Sequence, residues 1–516
     1  MPFILGTLVR RGVLTPGRPD RVARQLNTLR TWGYSLAGEL RAAAARYPRR
    51  VAVIDEWRSI TYEKLVRRTD RVGRALQTSI GVGPGERVGI LCRNHGGMIE
   101  LMIAVTALGA DPVLVNTGLS GTQLASVAEQ QQLRLLCHDP EYASTASSVP
   151  AQVELLPLSM MDELLAGVPV KPLPKPPRDG RTIVLTSGTT GTPKGARRPV
   201  PPGLLPLAAV ISRIPITAGE RMLISAPLFH TWGLAALQMA FGLGGTVVLQ
   251  RRFEPRQTLE LIVRSGVTSL FVVPVMLQRL LEIDPVPTSL KVVAASGSAL
   301  SGGLAARFMN AYGDILYNLY GSTEASWASI ATPDELRFAP GTAGRPPYGT
   351  EIAIVDADGN PVPNGEVGRI FVGNDMLFDG YTSGGSKEMR GGLLATGDLG
   401  HVNRMGMLFV DGREDDMIVS GGENVFPLEV EDLLGRLPQI REVAVIGVPD
   451  EEFGQRLAAY VVLQPGVWLD AGSVREYVHQ HLARFCVPRD VVFMDILPRN
   501  ATGKVVPRML PTAARP

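Results

Sequence analysis

A chain of 516 residues is long enough for more than one domain, and 45% hydrophobic with 20% charged residues is the balance of a folded globular protein. The net charge of +3 is too small at this length to argue for nucleic-acid binding. The cysteines Cys92, Cys137 and Cys486 lie far apart and the histidines form no HxxxH or HExxH pair, so neither a disulfide framework nor a zinc-enzyme signature is present, and a reducing, cytoplasmic location is expected.

Residues 1–35 read as a basic extension, with Arg10, Arg11, Arg18, Arg21, Arg24 and Arg30 against Asp20 alone. Interspersed Leu, Val and Trp32 leave two readings open: peripheral contact of residues 1–34 with the inner membrane face, or packing on the main domain. From residue 36 helical and apolar strand-like runs alternate. Ser35–Tyr47 predicts a helix and Val51–Ile54 a strand; Tyr62–Ile80 predicts a helix and Arg87–Leu91 a strand. Met98–Leu108 with Asp111–Val115, and Thr258–Ser265 with Ser269–Val273, repeat the pattern. Arg181–Leu185 and Lys291–Ala295 are further strands. Gly233–Leu249 reads as a buried helix, a glycine turn and the strand Thr246–Leu249; a membrane span is the weaker reading, because glycines split a run already near the minimum length. Such alternation predicts parallel sheets covered by helices, with ligands at the carboxyl ends of the strands.

After residue 345 tight turns join short strands, predicting a small antiparallel β-subdomain over about 345–411. The large domain is expected to span 36–414. A smaller α+β domain would occupy 415–516. The fold class expected is therefore α/β, with a large N-terminal domain of parallel-rich αβα sheets, a β-subdomain and a mobile C-terminal domain.

The densest motif is Thr186 to Gly195, TSGTTGTPKG, directly after a strand. Glycines let backbone N–H groups approach an anion, hydroxyls add donors and Lys194 adds a compact positive charge, so the loop reads as a cradle for polyphosphate. It is not a GxxxxGK[ST] loop, since Lys194 follows proline and precedes glycine. Further polar loops follow in order: Tyr320-Gly321-Ser322-Thr323-Glu324, Thr396-Gly397-Asp398, Gly412-Arg413-Glu414-Asp415-Asp416 and the closing Ala501-Thr502-Gly503-Lys504. Each alone is compatible with an ordinary turn or helix cap.

In this order and spacing the motifs resemble the adenylate-forming superfamily of acyl-CoA synthetases, luciferases and adenylation domains, most like bacterial fatty-acyl-CoA synthetases, over residues 36–510. The resemblance implies that a carboxylic acid is joined to the α-phosphate of ATP, pyrophosphate leaves, and coenzyme A then takes the acyl group. Two anions must meet in the first step, so charge neutralisation and positioning carry the catalysis.

By resemblance, Thr186, Ser187, Gly188, Thr189, Thr190, Gly191, Thr192 and Lys194 grip the β- and γ-phosphates. Glu324 and Thr190 hold Mg²⁺, and Gly321, Ser322 and Thr323 lie by the α-phosphate. Gly297, Ser298, Ala299 and Tyr320 line the adenine, and Asp398 and Arg413 bind the ribose. Lys504 bridges the two reacting groups, so the catalytic set is Lys504, Thr190, Glu324 and His230. Asp415 is the hinge about which the C-terminal domain rotates, and Ser420, Gly421 and Gly422 flank the coenzyme A channel.

The acyl pocket is expected around His230, Trp232 and Gly233 in Pro227-Leu228-Phe229-His230-Thr231-Trp232-Gly233. The absence of an aspartate from Phe229 to Leu234 argues for an uncharged acyl chain rather than an amino acid. The apolar run Trp232–Phe241 and the basic N-terminus motivate a medium- to long-chain fatty acid. Three alternatives stand: an acyl-AMP ligase that loads a carrier protein, an aryl or other carboxylate–CoA ligase, and a non-catalytic binding module. A homodimer is compatible with all of them. Before Thr396 the family's usual aromatic pair is replaced by Leu393-Leu394-Ala395, and the asparagine often found two residues after Tyr381 is missing.

Overall fold

Short Val/Ile/Leu runs bounded by turns make strands that are buried on both faces. Two sheets of this kind form the large N-terminal domain of the protein, seen here in a computed structural model that describes residues 2–186, 193–420, 423–450, 454–500 and 503–511, with backbone alone at Asn424. In one sheet Glu154–Pro157, Leu133–His138, Arg87–Leu91, Asp111–Leu114 and Ile183–Thr186 run parallel, and Lys194–Arg197 closes the edge antiparallel. The other sheet runs parallel through Leu316–Tyr320, Val292–Ala295, Ser269–Val272, Arg221–Ile224, Thr246–Leu249 and Val51–Ile54. Antiparallel Ser329–Ala331 and Ser59–Thr61 finish its two ends. Helix Gly96–Ala107, apolar but for Thr106 and the ion-paired Glu100, is buried at every residue but Gly97.

The helix expected over Tyr62–Ile80 is continuous, but its last turn, Leu76–Ile80, widens to a π-turn before Gly81 stops it at φ 81°. The β-subdomain pairs Glu351–Val355, Gly368–Gly373, Leu393–Val402 and Met389–Arg390 antiparallel, with Leu408–Arg413 on the outer edge of Leu393–Val402. In the smaller C-terminal domain a sheet of Glu423–Val425, Ile418–Ser420, Gly454–Leu463, Ile440–Asp450 and Asp490–Phe493 carries helices Pro427–Leu434 and Ala471–His481. Ile418, Val430, Leu434, Val461, Val474 and Val478 form its core.

The N-terminal segment folds as helices Pro2–Arg10 and Pro19–Trp32 packed on the large domain. Leu8 enters the main core, Arg11 Nε donates to the Ile211 carbonyl at 2.9 Å, and an Arg46 amine donates to the Thr15 carbonyl at 2.6 Å. The Arg41 guanidinium lies 4.1 Å from the Trp32 ring centroid. Among the described residues no helix is long and apolar enough to cross a membrane.

Candidate active site

Parallel strands leave their loops at one end, and those loops meet here in a cavity of about 1680 Å³. That exceeds a single small-ligand pocket and leaves room for a nucleotide and a second substrate. Thr186, Pro193 and Lys194 line it from one sheet. Ser296, Gly297, Ser298, Ala299 and the run Tyr320 to Glu324 line it from the other. The β-subdomain contributes Thr396, Gly397, Asp398 and Arg413, and the C-terminal domain contributes Lys504.

Asp398 and Arg413 are fifteen residues apart in sequence but directly paired across antiparallel strands, which sets the carboxylate beside the guanidinium, 3.9 Å between Nε and Oδ1. Tyr320 donates its hydroxyl to Asp398 Oδ2 at 2.5 Å. Burial raises the Asp398 carboxyl, while Tyr320, Arg413, Lys387 and Lys504 favour its charged form. Lys387 also lines the cavity, with Nζ donating to the Thr396 carbonyl at 2.6 Å. No motif had marked it.

Glu324 is buried at the cavity wall, and Tyr381 donates its hydroxyl to Glu324 Oε1 at 2.7 Å. Lys194 Nζ lies 5.4 Å from the Tyr381 ring centroid. One tyrosine thus bridges the lysine of the first loop and the carboxylate of the second. Arg198, one residue past the edge strand Lys194–Arg197, is buried and grips the Tyr320–Glu324 loop from beneath. It donates to the Thr323 carbonyl and, at 2.7 Å, to Ser326 Oγ. Burial lowers the Arg198 guanidinium to about 10, against the opposing pull of Glu324, and it stays charged at neutral pH. Arg198→Met removes both charged hydrogen bonds and is expected to cost about 3 kcal/mol of stability. This would be read as a lower urea midpoint with unchanged slope; an unchanged midpoint would remove Arg198 from this role.

Lys504 enters the cavity on a tight turn. Asn500 N donates to the Lys504 carbonyl at 2.9 Å and Lys504 N to Asn500 Oδ1 at 3.0 Å. Arg499 pins the turn through Glu442 Oε2 at 2.6 Å. Gly503, at φ 81°, sits where a Cβ would come within 2.5 Å of the Val275 side chain, so only glycine lets the turn approach the large domain this closely. The ammonium remains accessible from the cavity. Surrounding protein and then Arg413 lower its pKa, opposed by Asp398, Asp416 and Glu324.

His230 occupies the N-cap position of helix Thr231–Gly242 without a side-chain capping bond, and its Nε2 is shielded from solvent without a hydrogen-bond partner among the described residues. Burial, then the nearby Lys504, lowers its imidazole to about 4, so it is neutral at pH 7. Thr231 Oγ1 donates to Thr323 Oγ1 at 3.2 Å, tying this helix to the Tyr320–Glu324 loop. Trp232 lines the cavity and donates to the Val272 carbonyl at 3.1 Å. Gly233 corrects the sequence reading. It does not line the cavity, and a Cβ there would come within 2.2 Å of the Pro227 carbonyl, so its role is close backbone packing.

Ser187, Gly188, Thr189, Thr190, Gly191, Thr192, Gly421 and Gly422 lie outside the described residues. Their flanks are visible: Thr186 pairs with Lys194 across antiparallel strands, so the first motif bridges a hairpin. Asp415 occupies the 3-10 turn Glu414–Asp416 at the cavity rim, 4.0 Å from the Arg413 guanidinium. Ser420 ends the strand Ile418–Ser420 and does not line the cavity while Lys504 does.

A second polar cluster, Cys92, His95 and Asp139, is buried elsewhere with its ligand atoms within 4.8 Å of one another. His95 Nδ1 accepts from the Gly97 and Met98 backbone N–H groups, so Nε2 carries the proton and donates to Asp139 at 2.8 Å. Nδ1 is spent on capping the helix and Nε2 on Asp139, which leaves no lone pair for a metal.

The AMP-binding enzyme family matches residues 40–382, and the AMP-binding enzyme C-terminal domain matches residues 429–504. A feruloyl-CoA synthase from Amycolatopsis sp is 32% identical over 472 residues, covering 89% of this chain and 95% of the relative. A fatty acid–[acyl-carrier-protein] ligase, ScoC, from Streptomyces coeruleorubidus is 30% identical over 488 residues, covering 90% and 94% respectively. The structure of o-succinylbenzoate CoA synthetase (MenE) from Bacillus subtilis in complex with the acyl-adenylate OSB-AMP superposes with a TM-score of 0.82 at 30% identity, covering 92% of this chain and 98% of that one.

Proposed function

Since the chain belongs to the AMP-binding enzyme family, we propose that it is an acid–thiol ligase that converts an aryl carboxylic acid to its acyl-adenylate and then to its coenzyme A thioester. The observation that carries this reading is the meeting of Lys504, Glu324, the Asp398–Arg413 pair and His230 around one cavity. A carboxylate cannot expel oxide, but once bonded to the α-phosphorus of ATP its oxygen leaves as part of AMP. Lys504, free to reach both substrates, neutralises the two anions as the carboxylate oxygen attacks and pyrophosphate departs. Asp398 accepts from the ribose hydroxyls and Arg413 donates to them, while Gly297, Ser298, Ala299 and Tyr320 form the walls of the base. Lys194 and the loop before it hold the phosphates that leave.

The donor set fits Mg²⁺. Glu324 is a buried carboxylate whose Oε1 accepts from Tyr381, and Mg²⁺ characteristically takes one or two carboxylates beside substrate phosphates. Glu324, with Thr190, would hold the ion, which when bound spreads the phosphate charge. The chain's own residues orient the reactants.

Neutral His230 stands at the junction of the nucleotide side and the chamber walled by Trp232, and it orients the acid without adding charge. Thiol attack on the acyl-adenylate requires Lys504 to withdraw. A rotation about Asp415 would do this and bring the Ser420 turn to the cavity. The similarity to feruloyl-CoA and o-succinylbenzoate CoA synthetases favours an aryl acid over the fatty chain expected from the apolar run at Trp232–Phe241. The polar far end of the chamber, described below, favours it too. The ScoC relative supports a second reading, transfer of a fatty acyl group to a carrier protein. Incubation with ATP, Mg²⁺ and a panel of aryl, fatty and amino acids, with and without coenzyme A, separates the readings by mass spectrometry. Aryl-CoA is expected. Acyl-AMP that persists unchanged after coenzyme A is added would overturn the thioester reading.

A further inference from the structure

Helix Thr231–Gly242 runs away from the reaction centre along the chamber, and Thr231, Ala235, Gln238 and Gly242 recur on its cavity side at helical spacing. Gln238 stands eight residues beyond His230, about 12 Å further along the axis. At that depth helix Leu36–Arg46 packs beside it and presents Glu39 within reach of Gln238, and the N-terminal helix Pro19–Trp32 adds Leu26 and Leu29 to the lining. Glu39 and the covering helix precede residue 40, where the family match begins.

Apolar side chains would suffice to close such a chamber, yet it ends in a carboxyl group and an amide. Glu39 Oε2 is shut off from solvent and has no hydrogen-bond partner among the described residues. Burial pushes the Glu39 carboxyl well above its ordinary range, while a side-chain hydrogen bond from Gln238 favours the charged form and leaves the second amide N–H for a ligand. A buried oxygen left unmet is costly, and a methyl terminus arriving there would leave it unmet. A hydroxyl group has one hydrogen to give and lone pairs to receive, which matches one carboxyl oxygen and one amide N–H.

We propose that Glu39 and Gln238 form a distal specificity subsite that binds a hydroxyl group at the far end of the aryl acid, the hydroxyl donating to the Glu39 carboxyl and accepting from the Gln238 amide. The inference rests on the aryl-acid reading above and adds to it the substituent that the enzyme selects. Glu39 and Gln238 act on substrate choice and take no part in bond making, so their removal changes which acid is adenylated rather than how.

Pyrophosphate release measured with 4-hydroxycinnamate and with cinnamate provides the test, because the ratio of the two kcat/KM values is internal to each protein sample. The wild type is expected to prefer the hydroxylated acid by about 10- to 100-fold. Glu39→Leu should bring the ratio close to one by losing the hydroxylated substrate and gaining the plain one, and Glu39→Gln should keep part of the preference. If Glu39→Leu is inactive on both acids, Gln238→Leu decides. A fallen ratio there supports the subsite and an unchanged ratio overturns it. Wild-type enzyme that adenylates both acids equally would overturn the subsite and leave the aryl-ligase reading standing. Failure to adenylate either, with turnover of a fatty acid instead, would overturn both.

Discussion

Lys504→Ala is expected to lower acyl-adenylate formation by about 10²- to 10³-fold, the cost of losing one preorganised charge from a transition state, while thioester formation from supplied acyl-AMP changes little. The asymmetry follows from where the lysine sits. Its turn belongs to the C-terminal domain, yet Gly503 packs against Val275 of the large domain and the ammonium shares the cavity with Asp398 and Glu324. Moving the domain therefore moves the charge. Pyrophosphate exchange measures the first step, and acyl-CoA production from synthetic acyl-AMP measures the second. Equal loss of both steps would refute the assignment of Lys504 to adenylation alone. The KM for coenzyme A in the second assay guards against a merely structural effect, which would raise it.

Glu324→Gln should be nearly as damaging, with adenylation reduced by about 10²-fold or more and the Mg²⁺ concentration for half-maximal rate raised. Glutamine keeps the shape and can still accept from Tyr381, so stability should change little and the loss reports on charge. A companion change, Tyr381→Phe, removes the hydrogen bond to Oε1 but leaves the carboxylate. It is expected to cost far less than Glu324→Gln. A Glu324→Gln enzyme with normal rate and normal Mg²⁺ dependence would remove the carboxylate from metal binding.

Much of this site was legible because its chemistry is concentrated in short loops at strand ends. Thr396-Gly397-Asp398 and Gly412-Arg413 are exceptions: they read as polar turns but lie within the strands Leu393–Val402 and Leu408–Arg413, whose antiparallel register makes Asp398 face Arg413. Arg198 and Tyr381 were not legible as site residues. Each acts on a segment more than fifty residues away, and nothing in its own neighbourhood separates it from an ordinary strand-end arginine or loop tyrosine. Glu39 was hidden for a related reason. A glutamate in the first turn of a helix reads as a favourable dipole partner, and only the tertiary fold turns it into a chamber. Gly233 neighbours Trp232 in sequence but not in direction, since successive residues on a helix point about 100° apart. The N-terminal segment left two readings open, and helix packing through Leu8, Arg11 and Arg46 shows how it is held.

The most direct test of carboxylate activation follows oxygen. An aryl acid labelled with oxygen-18 in its carboxylate, turned over with ATP, Mg²⁺ and coenzyme A, should yield AMP that carries one labelled oxygen, because the acid's own oxygen becomes bonded to the α-phosphorus and leaves with it. Unlabelled AMP, or ADP and phosphate in its place, would contradict the acyl-adenylate route.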